Sequence, residues 1–404
     1  MEKYAVFYFS LFPFSYLFEV PDGTAGKIAL FLVLSLPFML KAIGMLRRGE
    51  AWSERLLVVI LMAFLASVFL SGGVSLFLFP DIPLRRMAGT IAMVIWPLAF
   101  FGMATACSRR CLQWALQALT MTTLLAVSVV FLLDRTIDFI PGAPPPQLSL
   151  GLNTISLGKL LLAAVPGAML MARPVFRYVL LLLLAILIFM TGARTIAIAL
   201  LATLGIFTFL QAKHARTVPL FLTLATGAVA GIMLAIWRGL PVQRLIGLHT
   251  LQLRFEAWLN TLAVWWRMNP VTGVGPGMHR HYLHGPHRLD DLPCAYEAGH
   301  AHSDYLAALA DLGVIGFLTW ATLLALMFVQ LWRRWHEDLL ARVSLAIFIG
   351  YLVAALTEVH FLRLREMTLV VVVMVLGFAT MIHHKRASPS RSFRPRLPTE
   401  VTRS

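Results

Sequence analysis

The chain of 404 residues is 59% hydrophobic and only 13% charged, and its mean hydropathy of +0.80 lies outside the range of soluble globular proteins. Apolar runs of the roughly 20 residues that a helix needs to cross a bilayer recur from end to end, which excludes a single large soluble core and implies an integral membrane protein. The net charge of +15 does not indicate nucleic acid, because much of it falls where membrane topology puts it.

Taken in order, the apolar runs predict about twelve transmembrane helices, centred near Phe9, Leu36, Phe64, Val94, Leu124, Ala164, Leu183, Leu200, Ala228, Leu318, Phe348 and Val372. The first run has only Lys3 as a basic flank and no convincing small-residue cleavage site, so it reads as a retained span. Basic residues follow the even-numbered spans: Arg47, Arg48 and Arg55; Arg109 and Arg110; Arg173 and Arg177; Lys213 and Arg216; Arg333, Arg334 and Arg342. By the positive-inside rule these loops and both termini are cytoplasmic. Residues 1–384 form the expected transmembrane domain, and the basic, Pro/Ser-rich tail 385–404 is expected to be disordered beside anionic lipid. A proline run ending at Pro146 predicts a turn or extended loop on the outer side.

Cys107 and Cys111 fall at a cytoplasmic loop and Cys294 on the opposite side, so a disulfide between the two groups is excluded by distance. The pair alone lacks the remaining ligands of a structural zinc site. Structural thiols are expected.

Residues 238–303 interrupt the rhythm of short loops and are expected to be external. Within them, "LQLRFEAWLNTLAVWWRM" has helical spacing, with Leu253, Ala257 and Thr261 on one side and Arg254 and Trp258 beside them. It predicts an amphipathic helix along the membrane boundary, where Trp258, Trp265 and Trp266 suit the interface. Pro270 ends it, and Gly273, Gly275 and Gly277 make either a plain turn or a close backbone approach to a ligand. The histidines at 279, 281, 284 and 287 have a spacing compatible with zinc but no supporting carboxylate or thiolate pattern, and a solvated loop open to substrate is the favoured reading.

Arginines on the outer side run against the topology rule. They are Arg85 and Arg86 after the third span, Arg194 in "TGAR", Arg254, Arg267, Arg280 and Arg288 in the long loop, and Arg363 and Arg365 after the eleventh span. Solvated surface or lipid headgroups account for some of them. Arg194 lies between two apolar stretches, where a buried guanidinium needs an anionic partner. Such a cluster suits a lipid-linked diphosphate, which guanidinium groups bind through paired hydrogen bonds. No paired-aspartate metal motif accompanies it, so arginines can stand in for a metal at the leaving phosphate.

The stretch "RFEAWLNTLAVWWRMNPVTGVGPG" followed by "HAHSDYLAALADLGVIGFL" resembles the signature region of the O-antigen ligase family, through Arg254, Trp258, Pro270, Gly273, Gly275, His302, Ser303, Leu306, Leu309, Gly313 and Gly316. Arg194 matches the family's upstream arginine motif, with Ala193 where serine is common. The resemblance implies an all-α, polytopic glycosyltransferase of the GT-C-like kind in the bacterial inner membrane, its active site facing the periplasm. It further implies transfer of O-antigen polysaccharide from undecaprenyl diphosphate to a sugar of the lipid A core, with inversion and with neither a metal nor another cofactor. Arg194 and Arg254 would bind the donor diphosphate, with Arg85, Arg86, Arg267, Arg280, Arg288, Arg363, Arg365 and Trp258 as further substrate contacts.

"SDYLAALADLG" predicts a helix with Ser303 as N-cap and Asp304 in its first turn. His302 then stands at the positive end of a helix dipole, which favours the neutral imidazole that a general base requires. Asp304 or Glu297 is its expected carboxylate partner. A histidine that merely caps the helix or holds water is the competing reading. An O-antigen polymerase or a protein O-oligosaccharyltransferase could use the same groups with another acceptor, and a transporter is the non-enzyme alternative.

Overall fold

The structure is a computed structural model that describes residues 1–17, 24–47, 55–78, 84–133, 154–211, 248–284, 288–294, 300–359 and 368–387. The described residues form thirteen α-helices and no strand. They are α1 (Glu2–Leu17), α2 (Thr24–Arg47), α3 (Arg55–Leu78), α4 (Leu84–Ala106), α5 (Arg109–Leu133), α6 (Thr154–Met169), α7 (Pro174–Met190), α8 (Arg194–Gln211), α9 (Leu248–Met268), α10 (His279–Leu283), α11 (Asp304–Arg334), α12 (Leu339–Ala355) and α13 (Thr368–Ala387).

Each expected span centre except Ala228 lies within a helix, and Ala228 is outside the described residues, as are the proline run at 141–146 and the tail beyond Ala387. Four helical stretches, Arg55–Leu76, Arg109–Leu132, Arg194–Gln211 and Asp304–Arg334, are long and apolar enough to cross a membrane, while those at Pro174–Met190 and Leu339–Ala355 are apolar but shorter. The protein is a multi-pass membrane protein, all-helical among the described residues. Helices dominate for a reason local propensity does not give. The valine run of α13 is a poor helix former in water, but in hydrocarbon every backbone amide must be satisfied within its own segment.

That same valine run, Val370 to Val375, is buried on every face, which makes α13 the centre of the bundle. Around it α2 packs on α4, α1 on α5, α3 on α11, and α8 on α12. Gly350 permits the last contact, since a Cβ there would meet Thr203 Oγ1 at 1.9 Å and Ala199 O at 3.0 Å. Segments expected on one side of the membrane meet each other. Arg109, after the fourth span, pairs with Glu337 and Asp338, after the tenth. At the other end, residues following the seventh, ninth and eleventh spans come together at the site described below.

Helix α11 is broken at Gly313, whose φ of 66° and ψ of −173° are open essentially to glycine alone. The glycine-rich loop after α9 fills the break. Val274 N and Gly275 N donate to the carbonyls of Ala310 and Asp311, while Val314 N and Ile315 N donate to the carbonyls of Pro270 and Val271. Ser71 Oγ of α3 adds a bond to Asp311 O. The backbone groups released by the break are thus satisfied by another segment, as burial requires. The close approach at Gly273 is therefore made to protein backbone. A Cβ on Gly273 would lie 2.3 Å from Asp311 O, and one on Gly313 would lie 2.3 Å from Val271 O.

Gly313→Ala should consequently destabilise the protein by at least about 2 kcal/mol, from backbone strain and overpacking together. The midpoint of thermal unfolding of the purified chain measures this. A midpoint equal to that of the wild type would show that the interlock is dispensable.

Candidate functional site

Amphipathic helix α9 positions the first arginine. Ala257, Asn260, Thr261 and Val264 are buried against the protein, and Phe255, Leu259 and Trp266 are exposed on the opposite side, so the helix shows an apolar face outward, as a lipid-facing element does. The indole N–H groups of Trp258 and Trp265 donate to His302 O at 3.2 Å and Pro270 O at 3.0 Å. Trp258, expected among the substrate contacts, thus holds the backbone of His302.

Arg254 reaches inward from α9. Its Nη2 is 2.8 Å from Glu358 Oε1, just beyond α12, and its Nη1 donates to Thr195 Oγ1 at 3.0 Å. The pair is sheltered, with side-chain exposures of 16% and 2%. Arg254 Nε is buried and has no hydrogen-bond partner among the described residues. Thr195 also bonds Thr357 Oγ1 at 3.1 Å, and its chain neighbour is Arg194. Arg194 opens α8 and is exposed. The burial expected for it is therefore not found, since the helix begins at this residue and leaves its side chain at the end of the bundle. No ion-pair partner of Arg194 occurs among the described residues.

His302 lies two residues before α11 and has φ 49°, the one positive value at a non-glycine among the described residues. Its ring stands 3.9 Å from that of His300, centroid to centroid. Ligating atoms of His300, His302 and Glu358 all lie within 4.8 Å of one another. Ser303 occupies the expected N-cap position in extended conformation but makes no capping bond; its hydroxyl turns to Ala355 O at 3.5 Å. Asp304, 1% exposed, accepts from Tyr351 Oη at 3.2 Å. Glu297 lies outside the described residues. The carboxylate at His302 that can be named is therefore Glu358, which sequence reading did not single out.

Lys159 was missed as well. Although 1% exposed in α6, it donates from Nζ to Val359 O at 2.9 Å, tethering the segment that carries Glu358. Its signal was available: a lone lysine inside an apolar span is expensive and marks a site by default.

The remaining candidates are dispersed. Arg267 pairs with Asp291 on the exposed surface, Arg280 is half-buried on α10, and Arg288 is exposed. Arg85 and Arg86 lie in the first turn of α4, whereas Arg363 and Arg365 are outside the described residues. The histidine loop is only partly solvated. His279, 1% exposed, bonds Asp311 Oδ1 through Nδ1 at 2.8 Å, and its own N–H and that of Gly277 donate to the same carboxylate. The break at Gly313 explains this, because it sets Asp311 against the loop. A small separate core of Val264, Val274, Met278, Tyr282 and Leu283 backs the loop, and burial pushes the Tyr282 phenol up to about 12. Cys107, Cys111 and Cys294 are free thiols, and the side-chain amide of Asn260 pairs with the backbone of Cys294.

Arginine, histidine and one carboxylate thus gather at one end of a helical bundle, a set of groups able to bind an anion and to move a proton. Residues 179–321 match the family model described as O-antigen ligase. The matched region spans Arg194, Arg254, Trp258, the glycine loop and His302, but neither Lys159 nor Glu358. No curated protein matches the chain. That match supports an enzyme of the O-antigen ligase and polymerase type, acting on lipid-linked polysaccharide in general.

Proposed function

We propose that the protein transfers O-antigen polysaccharide from undecaprenyl diphosphate to a sugar hydroxyl of the lipid A core oligosaccharide, at the periplasmic face of the bacterial inner membrane. The observation that carries this reading is the meeting of Arg254, Thr195, His302 and Glu358 from four separate segments at one end of the bundle. In the proposed reaction the acceptor hydroxyl attacks the anomeric carbon from the face opposite the diphosphate. His302 takes the hydroxyl proton as the new bond forms, and the bond from sugar to diphosphate breaks with inversion. Arg254 and Arg194 stabilise the charge that develops on the departing diphosphate. The buried, unengaged Nε of Arg254 supports a phosphate ligand, since such a donor needs an acceptor.

Glu358 holds the Arg254 fork in place and sits beside His302, where a carboxylate stabilises the imidazolium formed by proton uptake. The twelve-span GT-C-like architecture, with 238–303 external and both termini cytoplasmic, belongs to this proposal. Labelling of single cysteines from each side of the membrane tests it. Asp291→Cys in a background lacking the native thiols should react from the periplasmic side, and reaction from the cytoplasm alone would put the site on the wrong face.

The acceptor is tested by reconstituting the purified chain with a defined lipid-linked glycan and three acceptors offered separately: lipid A core, a second lipid-linked glycan and a pilin-like protein. Transfer to lipid A core alone is the expected result. Transfer only to the second glycan would make the protein a polymerase, and transfer only to the polypeptide a protein O-oligosaccharyltransferase.

A further inference from the structure

His300 and His302 flank the fully buried Ala301, and residues two apart would ordinarily diverge if the backbone were helical. The positive φ of His302 and the bond from Trp258 to its carbonyl instead set both rings together, 3.9 Å apart. Glu358 arrives from the far end of α12, 56 positions along the chain from His302 by numbering, and completes a set of three ligand atoms within 4.8 Å. Two imidazoles and one carboxylate are the donor set of borderline-soft divalent ions. A tetrahedral ion with bonds of about 2.0–2.2 Å holds its donors about 3.3 Å apart. The three groups must therefore close by at most about 1.5 Å to hold such an ion.

We propose that His300, His302 and Glu358 form a binding site for a zinc-class transition-metal ion, with a fourth position left to water, and that occupation of this site inhibits the transferase. Magnesium is a poor candidate, since it demands oxygen ligands in an octahedron. The ion draws on the lone pair of His302 and on Glu358, which now serves Arg254 at 2.8 Å. Binding therefore removes the base and loosens the arginine in one event. The neighbouring guanidinium opposes a second cation, so the site is reversible rather than a permanent structural centre. The inhibitory half of this inference rests on the proposed role of His302, while the binding half does not.

The test uses the full chain, purified in detergent and freed of metal by chelation. Titration with Zn²⁺ should show one saturable equivalent, and Co²⁺ should give the visible absorption of a tetrahedral site. His300→Ala and Glu358→Gln should each weaken Zn²⁺ binding by at least about tenfold, with Mg²⁺ failing to compete. In the transfer assay Zn²⁺ should inhibit the wild type, excess EDTA should restore it, and His300→Ala should need at least about ten times more Zn²⁺ for the same inhibition. No stoichiometric binding, or binding undiminished in both variants, would overturn the site. Binding at full strength with transfer unaffected would overturn the inhibitory claim and count against His302 as the base, leaving the metal site standing.

Discussion

His302→Ala should lower the rate of glycan transfer by about 10²–10⁴-fold, the usual contribution of a general base, while donor binding persists. A sugar hydroxyl is a weak nucleophile until its proton is taken, and His302 stands beside the arginine assigned to the diphosphate, linked to it through Glu358. Alanine has a drawback here, because the φ of 49° is unfavourable for most side chains. Asparagine tolerates that region better and cannot act as a base at neutral pH. His302→Asn should therefore fold like the wild type and lose transfer by a similar factor. Single-turnover transfer at saturating donor, with donor affinity measured separately, checks both variants. Wild-type rates in a correctly folded His302→Asn protein would reduce the residue to a helix-leading structural element.

Arg254→Met should weaken donor binding by about 1.5–3 kcal/mol, the contribution of a hydrogen bond to a charged group, or roughly 10–150-fold in Kd. The single change also strands Glu358, whose side chain is 2% exposed, and breaking a buried pair from one side destabilises by about 3–5 kcal/mol. The double variant Arg254→Met/Glu358→Met separates the two effects. Removing both charges together restores stability, because an apolar replacement of a buried ion pair is often neutral or better. Donor binding should remain as weak in the double variant as in the stable fraction of the single one. Recovery of donor affinity in the double variant would mean that Arg254 serves only to neutralise Glu358. Arg254→Lys should rescue only part of the binding, since lysine supplies the charge without the planar fork that reaches both Thr195 and Glu358.

Membrane character was legible because hydrocarbon makes one crude demand on every span, about 20 apolar residues in a row. That demand is written locally, and the helices at Phe64, Leu124, Leu200 and Leu318 fell where it put them. The charge of the loops was legible for a similar reason. Arg109 and Asp338, assigned to one side by the positive-inside rule, are found in contact. The motif residues Arg254 and His302 were also within reach, since both lie in the unusually long segment between spans and carry the resemblance to the family.

The partners of those residues were not legible. Glu358 meets Arg254 across 104 positions, and Lys159 meets Val359 across 200. Such pairings follow from how α6, α8, α9 and α12 assemble, and no local periodicity records them. The glycine loop carries the same lesson. Gly273 signals a special backbone, but only the break at Gly313 reveals that the surface approached is the carbonyl of Asp311 and not a ligand. Likewise His279 reads as one of four loop histidines until the same break brings the Asp311 carboxylate to it. By itself the sequence determined that the chain crosses the membrane repeatedly, and it singled out the arginines and the histidine to which the chemistry is assigned. Only the tertiary structure decided which carboxylate serves them, because a buried charge takes its partner from whichever segment packing places within hydrogen-bonding reach.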